Sequence, residues 1–207
     1  MVYNMCADLI LIRHGEIGDE YRGAFIGKTD MPLSEKGKCQ AERLRAYLKP
    51  QFRTAILSSP LQRCRETSQI AMEPFGLQVD VEEDLREIDF GLWECLFLKK
   101  ITEDYAGAVE ALTRFDRDFA FPGGERIGDF LDRMARVGGR LMSFDTERVI
   151  VFTHGGVIRA LICYFLKLPP RNYLLFEVRP ASVTTIRLFE NGGILTGLNI
   201  MSGIEEK

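Results

Sequence analysis

The chain has 207 residues, of which 46% are hydrophobic, so it can bury one sizeable core and suits a single large domain or one domain with a cap. Its formal net charge of -3 excludes a global basic field that would recruit nucleic acid or an acidic membrane. An anionic ligand would have to be bound by a local cluster of cations, such as arginines gathered in one pocket.

The five cysteines are odd in number, are scattered along the chain and include no CxxC pair. This pattern predicts reduced thiols in a cytoplasmic protein. A free cysteine behaves as a small hydrophobic residue, so we expect each to be buried: Cys6, Cys39, Cys64, Cys95 and Cys163. The N-terminal stretch has no basic region, and its apolar run is too short for a signal peptide or a membrane span.

Two short apolar runs, residues 9–12 and 149–152, are too short for helices and have the composition of fully buried strands. One residue after each run comes a histidine followed by glycine. The first is followed by Arg13-His14-Gly15 and the second by Thr153-His154-Gly155. The sequence therefore predicts the same structural motif twice, a buried strand followed by His-Gly.

Between these runs, helical and strand signals alternate, which is typical of a sheet covered on both faces. Ser34 is predicted to cap a helix that reaches Leu48, and residues 55–57 form another buried strand. Ser59 is a predicted N-cap, with Pro60 at the first helical position. The predicted fold is an α/β three-layer sandwich with a mostly parallel central sheet and helices on both faces.

The second half of the chain contributes one weak and two clear patterns. Residues 94–121 have weak helical periodicity and are predicted to form a small, partial helical cap. A helix is predicted over residues 127–144. Residues 182–188 and 194–199 are predicted strands joined at Asn191-Gly192-Gly193. We interpret the whole chain as one domain with this partial cap.

Both histidines of the chain lie at the carboxyl ends of predicted central strands, where ligands bind in open α/β sheets. Arg13 precedes His14 and can offer fork-shaped donors to a phosphate. Arg63 lies in the first turn of the helix after Ser59, where the helix N-terminus also favours an anion, although a solvated helix arginine is the simpler reading of it alone. Neutral His14 could attack phosphorus, while both arginines and a protonated or hydrogen-donating His154 hold the transferred group.

A leaving alkoxide must take up a proton, and residues 85–94 offer three carboxylates for this role, Glu87, Asp89 and Glu94. Glu87 and Asp89 are two positions apart and would share a face of an extended segment. Composition does not choose between them, and each could be a solvated acid.

Six stretches in order, over about residues 9–159, resemble the motifs of the histidine phosphatase superfamily, also called phosphoglycerate mutase-like: LILIRHGE, GKTDMPLSEKG, SSPLQRCRET, LREIDFGLWE, FPGGE and VFTHGGVIR. The resemblance implies His14 as the phosphohistidine nucleophile, Glu87 as the general acid, and no metal or other cofactor. It implies catalytic and phosphate-binding roles for Arg13, Arg63 and His154, with Gly155 beside the phosphate. The compact length and Trp93-Glu94 resemble the α-ribazole-5′-phosphate phosphatases of cobalamin assembly most.

The chain departs from the family's pattern in four places. Ile17 and Glu20 replace a hydroxyl residue and an asparagine near the phosphate, so Glu20 is expected to face solvent or pair with Arg22. Cys95 replaces a glycine after Trp-Glu. Arg126 replaces a serine after FPGGE and could either reach a second anionic group of the substrate or lie on the surface.

The expected partner is a small phosphorylated metabolite, with no nucleic acid and no membrane, and the oligomeric state stays open, a homodimer included. A phosphatase and a cofactor-dependent phosphoglycerate mutase share this machinery and differ in whether water or a retained phosphoglycerate attacks the phosphohistidine. A zinc hydrolase is disfavoured because the chain has no HxH or HExxH spacing. A non-catalytic module that binds a phosphorylated ligand is the remaining alternative.

Overall fold

The computed structural model describes residues 7–48, 53–105 and 107–200, and within these ranges six strands form one sheet of order β3-β2-β4-β1-β5-β6. The strands are β1 (Asp8–Arg13), β2 (Thr54–Ser58), β3 (Asp80–Val81), β4 (Arg148–Thr153), β5 (Val183–Phe189) and β6 (Gly192–Ile200). Strands β1 to β4 pair in parallel, while β5 runs antiparallel to both β1 and β6. The predicted mostly parallel α/β sheet is confirmed.

The α-helices described are α1 (Glu35–Tyr47), α2 (Gln62–Met72), α3 (Leu98–Asp104), α4 (Ala108–Arg114), α5 (Ile127–Met142) and α6 (Gly155–Phe165). Alternate side chains of β1 point to opposite faces of the sheet, and they join two separate cores. Leu9 and Leu11 pack in the core that includes residues of α5 and α6, whereas Ile10 and Ile12 pack in the core with residues of α1 and α2. Helices therefore cover both faces, as predicted.

Ser34 caps α1 as predicted, since its Oγ accepts a hydrogen bond from the backbone N–H of Gly37 at 3.0 Å. Helix α5 ends at Met142, two residues before the predicted end. The hairpin of β5 and β6 is confirmed, with β6 beginning at Gly192 rather than two residues later. None of the described helices is long and apolar enough to cross a bilayer.

The predicted N-cap at Ser59 is wrong. Helix α2 begins at Gln62, with Leu61 as its N-cap residue. The Ser59 hydroxyl lies 2.7 Å from Nε2 of His154 and accepts only a long hydrogen bond, at 3.4 Å, from the backbone N–H of Leu61. A carboxylate from another segment replaces it, because Oδ1 of Asp30 accepts the backbone N–H of Gln62 at 2.6 Å.

The prediction that every cysteine is buried is wrong for two of them. Cys64 and Cys163 are buried, whereas Cys39 on α1 and Cys95 are exposed; all four are free thiols. Cys95 has a φ of 63°, a left-handed conformation that glycine adopts without strain, so the glycine expected here from the family's pattern would fit this backbone. The prediction for Cys6 lies outside the described residues.

The region predicted as a cap contains α3 and α4, and its start is joined to an earlier loop by backbone pairing. The N–H of Phe25 donates to the carbonyl of Leu96 at 2.9 Å, and the N–H of Cys95 donates to the carbonyl of Phe25 at 2.8 Å. Ala24 and Phe97 form an antiparallel bridge. The pairing fixes residues 95–97 against residues 24–25, and the role of this region as a cap stays a prediction.

Candidate active site

The two His-Gly segments meet at one edge of the sheet. Strands β1 and β4 are parallel neighbours with Arg13 opposite Thr153, so His14 and His154 follow side by side. Their ring centroids are 5.3 Å apart at an interplanar angle of 61°. The backbone N–H of His14 also donates to the carbonyl of Thr153 at 3.0 Å. Both histidines therefore lie at the carboxyl ends of neighbouring central strands, as predicted.

The His14 ring is buried, and its surroundings define its protonation. Nδ1 lies 2.7 Å from the carbonyl oxygen of Gly15, and a carbonyl can only accept, so Nδ1 carries the proton and Nε2 keeps its lone pair. Burial, followed by the charges of Arg63 and Arg13, holds the pKa of His14 well below its usual range. His14 is therefore neutral at physiological pH, the state in which imidazole is a nucleophile.

Two helices clamp the loop that follows His14. The N–H of Gly15 donates to Oγ1 of Thr67 on α2 at 3.0 Å, and the N–H of Glu16 donates to Oε1 of Gln40 on α1 at 2.9 Å. A Cβ on Gly15 would lie 2.6 Å from the carbonyl oxygen of Gly37, so only glycine fits there. The backbone that directly follows the proposed nucleophile His14 is thus held by both α1 and α2.

The guanidinium groups of Arg13 and Arg63 lie close enough to lower the pKa of His14. Nη1 of Arg13 donates to the carbonyl of Val178 at 2.6 Å, and burial lowers the pKa of Arg13. In the part of the chain that is described, the buried Nε atoms of both arginines have no hydrogen-bond partner. An unpaired buried donor costs roughly 1–3 kcal/mol, and an anion with several acceptor oxygens would remove that cost.

Arg63 is fully buried on the first turn of α2. Its Nη1 donates to the carbonyl of Thr29 at 2.8 Å, and its Nη2 donates to the carbonyl of Gly27 at 2.7 Å. The alternative of a solvated helix arginine is therefore wrong, because two backbone carbonyls bind the fully buried guanidinium.

His154 is completely buried and is the N-cap residue of α6. Its Nε2 lies 2.7 Å from the Ser59 hydroxyl and 3.4 Å from Sγ of Cys64. Burial and the charge of Arg63 hold the pKa of His154 well below its usual range. The ring is therefore neutral, which corrects the expectation of a protonated His154 and leaves the expectation of a hydrogen donor. Gly155 places the first turn of α6 beside Arg13, whose Cζ would be 3.5 Å from a Cβ there.

The three candidate carboxylates lie in different environments. Oε2 of Glu87 accepts the N–H of Gly156 at 2.8 Å, directly after His154 and Gly155, and the Glu87 side chain is buried. Asp89 instead pairs with Nζ of Lys28 at 2.8 Å and is partly exposed. Glu94 binds backbone N–H groups of residues 27–29. Of the three, only Glu87 contacts the start of α6, the helix that follows His154.

Sequence reasoning missed two residues beside Glu87. A Cβ on Gly156 would lie 2.3 Å from Oε1 of Glu87 and 2.9 Å from the Tyr173 hydroxyl, so both groups converge on this point. The Arg159 guanidinium lies over the Tyr173 ring, 5.6 Å from its centroid. Burial and the charge of Glu87 raise the pKa of Tyr173. Arg159 could have been found, since it is the last residue of VFTHGGVIR, but no motif marks Tyr173.

The residues that depart from the family's pattern are exposed or half-buried. Glu20 is exposed, as expected, and Ile17 is half-buried. Arg126 is on the surface, where it pairs with Asp129 at 2.8 Å and with Asp118 at 3.7 Å. Among the residues described, no group of three or more His, Cys, Asp or Glu side chains is placed to hold a metal ion.

Comparison with known proteins identifies the family of this chain. The model of the histidine phosphatase superfamily (branch 1) matches residues 9–201. The adenosylcobalamin/alpha-ribazole phosphatase of Salmonella typhimurium is 29% identical over 192 residues, covering 92% of this chain and 95% of that protein. Phosphoserine phosphatase 1 of Hydrogenobacter thermophilus is 29% identical over 199 residues, covering 96% and 94%. The crystal structure of the alpha-ribazole phosphatase from Shigella flexneri is similar with a TM-score of 0.82 and 27% identity, covering 96% and 100%. The chain belongs to the histidine phosphatase superfamily, as its six motifs indicate.

Proposed function

We propose that this histidine phosphatase hydrolyses the monoester of a small phosphorylated metabolite through a phosphohistidine at His14. The observation that carries the proposal is the neutral His14 ring, which keeps the lone pair of Nε2 and lies beside the guanidinium groups of the half-buried Arg13 and the fully buried Arg63. A nucleophile and fixed positive charge are the two requirements of phosphoryl transfer without a metal. Other residues of the site complete the reaction.

In the first step, Nε2 of His14 attacks phosphorus and the bond to the ester oxygen breaks. Arg13 and Arg63 stabilise the charge on the equatorial oxygens, and His154 and the N–H of Gly155 at the start of α6 add hydrogen-bond donors. Glu87, in its protonated form, gives its proton to the leaving oxygen, so an alcohol departs. In the second step, Glu87 takes a proton from water, which attacks the phosphohistidine and releases inorganic phosphate.

The substrate we favour is α-ribazole 5′-phosphate, supported by two relatives named for this activity. Phosphoserine is a second candidate, supported by the third relative. A cofactor-dependent phosphoglycerate mutase is the alternative enzyme, and a module that only binds a phosphorylated ligand is the non-enzymatic alternative. We further propose a cytoplasmic location, supported by the free thiols, and either a monomer or a homodimer as the active unit.

The first experiment tests the chemistry. With p-nitrophenyl phosphate, we expect turnover that a chelator does not reduce, and His14→Ala should lower it by on the order of a thousandfold or more while the circular dichroism spectrum stays unchanged. Wild-type enzyme quenched in alkaline detergent should carry label from a ³²P-labelled ester, and subsequent acid treatment should remove it, whereas His14→Ala should carry none. Full activity of His14→Ala would reject the mechanism.

The second experiment tests the substrate and separates the alternatives. Release of inorganic phosphate is measured with α-ribazole 5′-phosphate, phosphoserine and 3-phosphoglycerate, the last also with 2,3-bisphosphoglycerate present. We expect the highest kcat/KM for α-ribazole 5′-phosphate. Isomerisation of phosphoglycerate without net phosphate release would make the protein a mutase, and no hydrolysis of any ester would favour the binding module.

A further inference from the structure

The Glu94 carboxylate is the centre of a hydrogen-bond cluster that the reaction above does not use. Its Oε2 accepts the backbone N–H groups of Gly27 and Thr29, both at 3.1 Å, and the Thr29 hydroxyl. Its Oε1 accepts the backbone N–H groups of Lys28 at 3.0 Å and Phe90 at 3.1 Å. Three consecutive N–H groups of one loop are thus turned onto a single carboxylate, an arrangement that fixes the loop's conformation.

The opposite side of the same loop holds Arg63. The carbonyls of Gly27 and Thr29 accept from the two Nη atoms of Arg63, at 2.7 and 2.8 Å. Arg63 is fully buried, so its guanidinium cannot turn to water for other acceptors. The Nε of Arg63 has no hydrogen-bond partner among the described residues, and the direction in which it points therefore depends on the positions of these two carbonyls.

The loop has no room to relax if the carboxylate is changed. A Cβ on Gly27 would lie 1.9 Å from the carbonyl oxygen of Ile88 and 2.4 Å from Oε1 of Glu94. Each Glu94 oxygen accepts from at least two donors, so an amide NH₂ in either position would face donors instead of acceptors. The site therefore requires a carboxylate and not merely a side chain of that shape.

We propose that Glu94 is a positioning residue of the phosphate pocket, which acts by fixing loop 27–29 and, through its carbonyls, the guanidinium of Arg63. This inference rests on the phosphate-binding role proposed for Arg63. Glu94 itself touches neither His14 nor Glu87 in any described contact, so it acts on the reaction only through Arg63. Its effect on activity must therefore disappear when Arg63 no longer makes its bonds to the loop.

The experiment is a double-mutant cycle of Glu94→Gln and Arg63→Lys, with kcat/KM for p-nitrophenyl phosphate and the inhibition constant of inorganic phosphate as readouts. In the wild-type background, Glu94→Gln should lower kcat/KM by roughly 10- to 100-fold and weaken phosphate inhibition, since a small misplacement of a charged group has effects of this size. In the Arg63→Lys background, the same change should cost less than about threefold.

Lys28→Met is the matched control on the same loop. It removes the exposed pair with Asp89 but keeps the backbone N–H that Glu94 accepts, so we expect kcat/KM to stay within about twofold of the wild type. Equal losses from Glu94→Gln in both Arg63 backgrounds would overturn the inference, as would wild-type activity of Glu94→Gln. Normal activity of Arg63→Lys, with unchanged phosphate inhibition, would instead reject the pocket proposed above.

If Glu94→Gln does not fold, Thr29 provides a milder pair. Thr29→Val removes only the hydroxyl that donates to Glu94, while Thr29→Ser keeps it. Thr29→Val should lower kcat/KM severalfold and weaken phosphate inhibition, whereas Thr29→Ser should match the wild type. Equal phosphate inhibition constants in the two variants would overturn the inference.

Discussion

Glu87 and Asp89 flank the same isoleucine, yet their surroundings separate them. Glu87 is buried against the N–H of Gly156 beside the histidines, whereas Asp89 is partly exposed and pairs with Lys28. A proton donor must reach the leaving oxygen, and only the first position allows that. At the scale of single residues, the environment therefore assigns different tasks to two similar side chains.

We predict that Glu87→Gln slows hydrolysis of alkyl phosphates by about 10²- to 10⁴-fold, and slows hydrolysis of p-nitrophenyl phosphate much less. An alkoxide needs the proton, while p-nitrophenolate is stable enough to leave without it. Steady-state kinetics on both esters measures the difference. Asp89→Asn is the control and should change both rates by less than about threefold; a larger loss in Asp89→Asn than in Glu87→Gln would show that the acid is misassigned.

The sequence was sufficient to place His14, His154 and Arg13 at strand ends, because an apolar run of four residues shortly before His-Gly marks a strand end. It was not sufficient to choose the acid, since the choice depends on Gly156, which is far from Glu87 along the chain. The N-cap prediction at Ser59 was wrong for the same reason, a contact with a residue distant along the chain. The Ser59 hydroxyl contacts His154, a partner that no local pattern near Ser59 reveals.

The N-terminus of α1 is an element that supports the nucleophile. Ser34 caps this helix and donates its own backbone N–H to the carbonyl of Glu16 at 2.9 Å. The helix approaches so closely that a Cβ on Gly37 would lie 2.1 Å from the same carbonyl oxygen. The position of the loop after His14 is therefore coupled to the position of the first turn of α1.

Gly37→Ala should consequently lower kcat/KM by roughly tenfold or more and destabilise the fold by about 1–3 kcal/mol, because the loop and helix must separate. Chemical denaturation and steady-state kinetics measure the two effects. Gly139→Ala is the matched helical control, since a Cβ there meets nothing within 4 Å. It should stabilise α5 by about 0.5–1 kcal/mol at unchanged activity. Similar behaviour of the two variants would contradict the proposed contact.

Long amphipathic elements were easier to predict than short ones. Helix α5 has sixteen residues and was predicted to within two. Helices α3 and α4 have seven residues each, too few for a clear period. The fully buried ring of Trp93 packs beside this region, 5.8 Å from Tyr105 and 5.9 Å from Phe119 between ring centroids. Such tertiary contacts, and not local periodicity, decide where these short helices begin and end.

For the whole molecule, the sheet order brings residues 14 and 154 together. The alternation of helices and strands predicted a mostly parallel sheet, but the neighbours of each strand follow from packing across the full chain. One consequence concerns both histidines at once. Each is buried and neutral in the folded protein, with a pKa held well below its usual range, mainly by burial.

We predict that stability falls as the pH drops below 6.5, the ordinary histidine value. The unfolded chain then binds protons that the folded protein does not, so the free energy of unfolding should fall by about 1.4 kcal/mol per pH unit for each histidine. Urea denaturation between about pH 7 and pH 5 measures this slope. His14→Gln should remove about half of the histidine contribution; an unchanged slope would contradict the depressed pKa of His14.

The backbone pairing of residues 95–97 with residues 24–25 sets a boundary for evolutionary change. Just before this boundary, a substitution of Glu94 acts on loop 27–29, whose carbonyls bind Arg63. After Phe97, the chain enters α3 and α4, whose backbone bonds are made largely within their own turns. On the prediction that this region forms a cap over the substrate, we expect duplicated genes to acquire new substrates by varying residues 98–114 while they inherit the phosphate chemistry, and a segment grafted from a relative would best be joined just after Phe97.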